Sequence, residues 1–196
     1  MKKLLILLLT SISLSVFAKE DKKPISFAGG AHYAFGYMDF NTDHGNIACF
    51  SNGVGGRLYL NLCNDHLRVG GMGAACNLNY DDLHSSGRLA FGGVSADYVF
   101  IIKRVKLALG CLVGGGGFKD YYFYKKEGSD DTFAKYSKKG TFIVSPMVNV
   151  DVSVTKALGF IFTVEYPIGN FGTQHTLTYP QMKLGVLFTR MISSKK

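Results

Sequence analysis

The sequence lacks the features that would indicate membrane-spanning helices or several domains. Beyond residues 1–18, no stretch reaches the roughly 18 consecutive apolar residues that a spanning helix needs, which excludes helical spans. Only four prolines occur in 196 residues, and the 24 glycines lie within strand-like runs instead of a linker. We therefore find no domain boundary and expect a single domain over residues 19–196.

Tryptophan is absent and cysteine is scarce. The absence of Trp argues against a typical aromatic girdle, although Tyr and Phe cluster at residues 121–124. The first of the four cysteines is Cys49, so no lipidated Cys follows the leader. Cys63 and Cys76 lie at opposite ends of a predicted hairpin, beyond the limit of about 7 Å between Cα atoms for a disulfide. Cys49 and Cys76 would meet only if a loop folded back, so we expect free thiols, with Cys111 facing lipid.

Residues 1–18 have the pattern of a cleaved secretory signal. Lys2 and Lys3 precede an apolar run, and Val16-Phe17-Ala18 forms a small-x-small cleavage site. Without those two lysines, 20 basic side chains remain against 14 acidic ones, a net charge of +6. This balance favours contact with outer-membrane lipids, including lipopolysaccharide, or with surface polysaccharide, and no basic-aromatic motif indicates nucleic acid.

A period-two alternation of apolar and polar residues is the strongest positive feature, and residues 144–155 show it most clearly. Such a period predicts a strand with one apolar and one polar face. We predict eight strands, at residues 25–39, 51–63, 67–79, 88–102, 105–123, 141–154, 158–168 and 177–190. Their connections alternate between long and polar (40–50, 80–87, 124–140 and 169–176) and tight (64–66, 103–104 and 155–157). That alternation is typical of an all-β, eight-stranded antiparallel up-and-down transmembrane barrel.

The two faces of these strands indicate which side meets lipid. One face carries large continuous apolar side chains, whereas the other combines glycine with charged groups that would pack a dry core poorly. We therefore expect apolar side chains outside and a structural ion-pair network inside, formed by Arg57, Arg68, Asp151, Glu165 and Lys183, with His32, Tyr59, Asn61 and Asn149 nearby. Asp97 shares its parity with Leu89 and Phe91, which as large apolar residues we expect to face lipid. We therefore expect a β-bulge between Gly92 and Tyr98 that shifts the register and turns Asp97 inward.

With its leader, alternating strands and loop rhythm, the mature chain resembles the small eight-stranded outer-membrane β-barrel proteins. This group includes the OmpA membrane domain, OmpX and opacity-like surface proteins. The resemblance is one of architecture and implies a monomeric barrel in the outer membrane, without a cofactor. One departure is that Thr189 to Lys196 follow Phe188, where these barrels usually end on an aromatic residue.

Several functions are compatible with such a barrel. The preferred one is an envelope-structural or surface-interaction (adhesin-like) role through four outer loops, without catalysis, for a host or surface ligand that the sequence does not identify. A narrow pore or small-solute channel, a lipid A-modifying enzyme and a soluble lipocalin-like barrel are the alternatives. Three residues on one loop, Asp82, His84 and Ser85, would be the catalytic candidates. Three loop histidines, His44, His84 and His175, follow no known metal-binding spacing, and we expect no metal site.

Overall fold

The computed structural model describes residues 25–42, 45–79, 85–125, 131–170 and 176–191, and the predicted signal, residues 1–18, lies outside them. No helix in these residues is long and apolar enough to cross a membrane. All regular structure in the described residues is β. The strands are β1 (Ser26–Thr42), β2 (Gly45–Leu62), β3 (Leu67–Asn79), β4 (Ser86–Ile102), β5 (Val105–Lys125), β6 (Thr132–Ser153), β7 (Leu158–Glu165), β8 (Ile168–Asn170), β9 (Thr176–Thr178) and β10 (Gln181–Met191).

These segments form a closed antiparallel ring with eight strand positions. Neighbours in sequence pair from β1 to β7, and β10 pairs with both β7 and β1, which closes the ring. Short β8 continues β7 in the same register against β6, and β9 continues β10. The two interruptions contain Pro167 and Pro180, which have no backbone N–H to donate to a ladder. The all-β fold with eight antiparallel positions is confirmed.

The strands are staggered around the ring. Following Cα partners from Ser26 in β1 through each neighbouring strand leads back to β1 at Gly36, ten residues further along. A closed barrel needs such a stagger because its strands tilt relative to the barrel axis. The stagger therefore brings side chains together that neither sequence nor direct strand pairing places side by side.

Tight turns join the strands at one end, which also carries Ser26 and Met191; we call it the termini end. They lie at residues 63–66, 103–104 and 154–157, as the sequence predicts. Lys103 is in the left-handed region there, with φ of 56°. We call the opposite end the loop end.

Two of the predicted long loops at the loop end are wrong in extent. Most of residues 40–50 lie in β1 and β2, which pair as far as Thr42 and Gly45. Most of 124–140 is also strand, because β5 and β6 pair as far as Lys125 and Thr132. Above the membrane both faces of a hairpin meet water, so the apolar alternation stops while the backbone ladder continues.

The outer wall is apolar, as predicted. Large side chains on the outward parity of the strands are widely exposed, among them Val54 at 67%, Val94 at 65%, Phe142 at 63%, Leu58 at 51% and Phe160 at 55%. A wall of this kind requires hydrocarbon around it, which rules out the soluble lipocalin-like alternative.

The predicted β-bulge at Asp97 is wrong. Strand β4 pairs with β3 and β5 in unbroken register, and Asp97, Leu89 and Phe91 all point inward. The prediction failed because the interior is not polar throughout. Its loop-end half holds a buried apolar cluster formed by Ala34, Met38, Cys49, Met72, Ala74, Cys76, Leu78, Leu89, Phe91, Leu112, Phe118, Ile143, Met147 and Tyr179.

Candidate functional site

The structure places all five predicted network residues inside the barrel. Arg57, Arg68, Asp151, Glu165 and Lys183 are each at most 7% exposed. The four companion residues are buried as well: His32, Tyr59, Asn61 and Asn149. Each lies on the inward parity of its strand, opposite the apolar outer wall.

Arg68 and Asp151 form a buried ion pair towards the termini end. Arg68 Nε also donates to Asn61 Oδ1 at 3.2 Å, and its guanidinium lies 4.8 Å from the centre of the Tyr59 ring. This pair forms part of the wall of a cavity of about 680 Å³ that also involves Arg104 and Lys106. Water can therefore approach the Arg68 pair from one side.

Arg57 organises the next part of the interior. Its two terminal nitrogens donate to Asn149 Oδ1 at 3.0 Å and to Thr163 Oγ1 at 2.8 Å. Thr163 Oγ1 donates to the same Asn149 oxygen at 2.7 Å, and Asn149 Nδ2 donates to Asp97 Oδ2 at 3.2 Å. Four strands are thereby linked across the lumen.

Lys183 and Glu165 form the most deeply buried pair. Lys183 Nζ lies 2.6 Å from Glu165 Oε1, and both side chains are 0% exposed. The ammonium also lies 5.1 Å from the centre of the Phe91 ring and 3.8 Å from the Met72 sulfur. The pair thus lies against the apolar cluster of the loop-end half, with little access to water.

Asp97 adds a further buried charge to the lumen. The five predicted residues carry three positive and two negative charges, and buried Asp97, bound to Asn149, supplies the third negative charge. Thr163 was not among the predicted network residues, although the sequence places it on the inward face of its strand. Its parity with Glu165 on β7 was the available signal, because buried polar groups need hydrogen-bonding partners.

The hairpin of β5 and β6 extends past its neighbouring strands at the loop end, as does the hairpin of β1 and β2. Strand β4 pairs with β5 only up to Tyr121, and beyond that point β5 pairs with β6 alone in the described residues. Aromatic contacts stiffen this extension. The ring centres lie 4.8 Å apart for Tyr121 and Tyr136, and 5.8 Å apart for Tyr124 and Phe133.

The structure describes few of the residues proposed for catalysis or metal binding. Asp82, His84, His44 and His175 lie outside the described residues. Ser85 is buried, and its hydroxyl accepts a hydrogen bond from the Phe123 N–H at 2.9 Å. Among the described side chains, no group of three or more His, Cys, Asp or Glu is arranged to hold a metal ion.

All four cysteines are free thiols in the structure. Cys49 and Cys76 are buried inside the barrel, whereas Cys63 and Cys111 are partly exposed. Cys63 lies in the first tight turn, and Cys111 lies on the outward parity of β5.

Comparisons with solved structures identify the architecture. The chain is similar to Neisserial surface protein A, with a TM-score of 0.51 and 16% identity over 88% of this chain and 100% of that one. It is also similar to Ail, the attachment invasion locus protein of Yersinia pestis, with a TM-score of 0.51 and 15% identity over 87% of this chain and 100% of Ail. A structure of Ail in complex with the heparin analogue sucrose octasulfate gives a TM-score of 0.50 and 16% identity over 86% of this chain and 100% of that one.

No protein-family model matches the sequence, and no curated protein matches it either. At these identities the structural similarity establishes the fold: the chain is an eight-stranded β-barrel of the outer-membrane type. Together with its apolar wall, this fold places it in the outer membrane.

Proposed function

We propose that this barrel is a monomeric, non-catalytic surface protein that binds a ligand through its loop end. The β5–β6 hairpin carries the proposal, because it forms a stiff extension beyond the membrane with exposed aromatic and lysine side chains. Recognition residues commonly lie on segments held by a rigid scaffold. The filled lumen below supplies that rigidity.

The charge of the hairpin suggests the class of ligand. Lys125 and Lys135 are exposed near its tip, on opposite faces of the hairpin, and Asp131 is exposed there as well. A sulfated or otherwise polyanionic glycan would complement these lysines, and Ail, which has the same fold, has been crystallised with a heparin analogue. We infer that the hairpin tip binds a polyanionic surface glycan.

Adhesion of cells that express the barrel to immobilised heparin tests this function. Replacing both tip lysines (K125E/K135E) should abolish most of the adhesion, whereas K103E/K156E, the same charge change at the termini end, should leave it intact. Equal adhesion by the two variants at equal surface amounts would contradict the proposal. Binding that survives both changes would mean that the hairpin tip is not the contact.

A narrow pore is the first competing function. The lumen argues against it, because Lys183, Glu165, Asn149, Thr163 and Gln181 are at most 1% exposed across the barrel interior. We expect the refolded barrel to give no steady conductance in planar bilayers. A stable single-channel current would replace our proposal with the pore.

A lipid A-modifying enzyme is the second competing function. It would need Ser85 as a nucleophile, and the structure engages that hydroxyl with a backbone N–H. We expect mass spectra of lipid A to be the same with and without expression of the barrel. A new lipid A species that disappears in Ser85→Ala would establish catalysis instead.

A further inference from the structure

The lumen contains a cavity of about 680 Å³ at the termini end. All three tight turns contribute to its wall, through Asp65, Arg104 and Lys156, as do residues at the ends of β1, β2, β3 and β10. We call this space the termini-end cavity. Cavities that bind small organic molecules in proteins commonly measure about 300–1,000 Å³, so its size suits a ligand of that kind.

The wall of the termini-end cavity carries more positive than negative charge. Its carboxylates are Asp65 and Asp151, and its cations are Arg68, Arg104, Lys106 and Lys156. Both carboxylates are already engaged, because Asp151 pairs with Arg68, and Asp65 lies 3.3 Å from the Lys106 ammonium. Within the described residues, Arg104 and Lys156 have no carboxylate partner. The cavity therefore favours a ligand with a negative charge.

Arg68 is held in the cavity wall by three contacts. These are the ion pair with Asp151, the hydrogen bond to Asn61 Oδ1 at 3.2 Å, and the Tyr59 ring, whose centre lies 4.8 Å away. One terminal nitrogen of Arg68, Nη1, is buried and has no hydrogen-bond partner in the part of the chain that the structure describes. Buried donors nearly always have an acceptor. A ligand oxygen at this wall of the cavity would supply the acceptor that Nη1 lacks.

Another part of the wall is apolar. Ala28, Tyr59 and Leu187 are buried there and belong to one cluster, together with Ile161. Leu158 adds a further apolar side chain to the wall. A bare inorganic ion would leave this surface uncovered, whereas an organic ligand would bury it. The two resident carboxylates also disfavour a multiply charged anion, because like charges repel.

We propose that the termini-end cavity binds a small organic molecule with one carboxylate and an apolar body. Arg68 binds the carboxylate, because a planar guanidinium matches its two oxygens, and Arg104 adds a second positive charge from the same wall. The apolar body lies against Ala28 and Leu187. Short turns and both termini of such barrels face the periplasm, so the ligand enters from that side. The site lies at the opposite end from the hairpin tip and does not depend on the glycan-binding function.

Isothermal titration calorimetry of the refolded barrel in detergent measures the binding, with protein-free micelles as the blank. The probe is N-acetylphenylalanine, which joins one carboxylate to a phenyl ring. Its amide has the same apolar body without the charge, and acetate has the charge without the body. We expect saturable binding of the acid in the millimolar range or tighter, and affinities at least about tenfold weaker for the two comparison compounds.

Two variants and one control locate the site. Arg104→Gln removes an exposed cation from the wall and should weaken binding of the acid about tenfold. Arg190→Gln is the matched control, because it removes an exposed arginine at the same end that lies outside the cavity, and it should leave the affinity unchanged. R68M/D151N removes the buried ion pair without leaving an unpaired charge and should abolish binding.

Folding of every variant is checked by heat-modifiable migration in mild SDS. If R68M/D151N fails to fold, the comparison of Arg104→Gln with Arg190→Gln still decides. The chain's own Glu20 and Asp21 precede β1 in sequence and are a different source of negative charge. E20Q/D21Q should bind the acid as the unmodified barrel does. Much tighter binding by this variant would assign the cavity to that segment and overturn the proposal.

Preference for the acid over both comparison compounds, weakened in Arg104→Gln and kept in Arg190→Gln, supports the site. Equal binding of the acid and its amide overturns it, as does an unchanged affinity in Arg104→Gln. Acetate that binds as tightly as the acid also overturns it, because no apolar body is then recognised. The absence of saturable binding in the millimolar range has the same consequence.

Discussion

Breaking the buried pair of Lys183 and Glu165 from one side should destabilise the barrel strongly. Both side chains are 0% exposed and their charged atoms lie 2.6 Å apart, so removal of either partner leaves the other charge uncompensated. Such a loss costs about 3–5 kcal/mol. We expect Lys183→Met and Glu165→Gln each to lower the free energy of unfolding by at least about 3 kcal/mol.

The double variant should recover most of that loss. Methionine at position 183 can pack against the Phe91 ring and the Met72 sulfur that Lys183 already contacts, and glutamine keeps the shape of Glu165. Replacing both members of a buried pair is often close to neutral. We expect K183M/E165Q to unfold within about 1 kcal/mol of the unmodified barrel, a coupling of about 3 kcal/mol or more.

Urea unfolding of the barrel refolded in lipid vesicles, followed by gel mobility, measures these free energies. Asp65 and Lys106 supply the control, because their atoms lie 3.3 Å apart with side chains 29% and 22% exposed. K106M and D65N should each cost no more than about 1 kcal/mol. Our reasoning fails if either buried single variant costs under about 1 kcal/mol, or if the double variant costs the sum of the two singles.

Three further outcomes follow from local geometry. Gly110→Ala should lower the unfolding free energy by about 1–3 kcal/mol, because its Cβ would collide with the Asp97 carboxylate. The control Gly117→Ala should be neutral, and equal stabilities of the two variants in urea titrations would contradict this prediction. Lys103→Gly should raise stability by up to about 1 kcal/mol by relieving the left-handed conformation, and a loss would refute that account. A charged maleimide should label Cys63 first in the folded barrel and all four thiols after unfolding; mass spectra showing early reaction of the buried cysteines would disprove their placement.

The outer wall could be predicted from sequence because lipid and lumen sort residues with the period of a strand. The same logic assigned the five charged residues to inward positions, since each lies opposite a large apolar face. The partners of these charges across the lumen could not be predicted from the alternation along each strand. Arg68 meets Asp151, and Arg57 meets Thr163, only because the stagger of the ring brings distant strands to the same level.

The errors share one physical origin. Period-two reasoning treats the inside as one environment along the whole barrel, but the hydrogen-bonded network of Arg57 lies towards the termini end, beside a small apolar cluster, and the larger apolar cluster lies towards the loop end. Asp97 and Leu89 thus share a parity without any bulge between them. The strands predicted at the loop end were too short for a related reason. Both faces of the hairpin are polar there, so the alternation is lost although β5 and β6 continue to pair.

The two-part interior also explains how the loop end can be free to vary. Arg68 pairs with Asp151 and Lys183 with Glu165 inside the lumen, and the apolar cluster lies between these pairs and the hairpins above. A change at the tip of the β5–β6 hairpin therefore leaves no buried charge without its partner. Substitutions at Lys125 or Lys135 should alter what the surface binds while the unfolding free energy stays within about 0.5 kcal/mol, the usual range for surface positions.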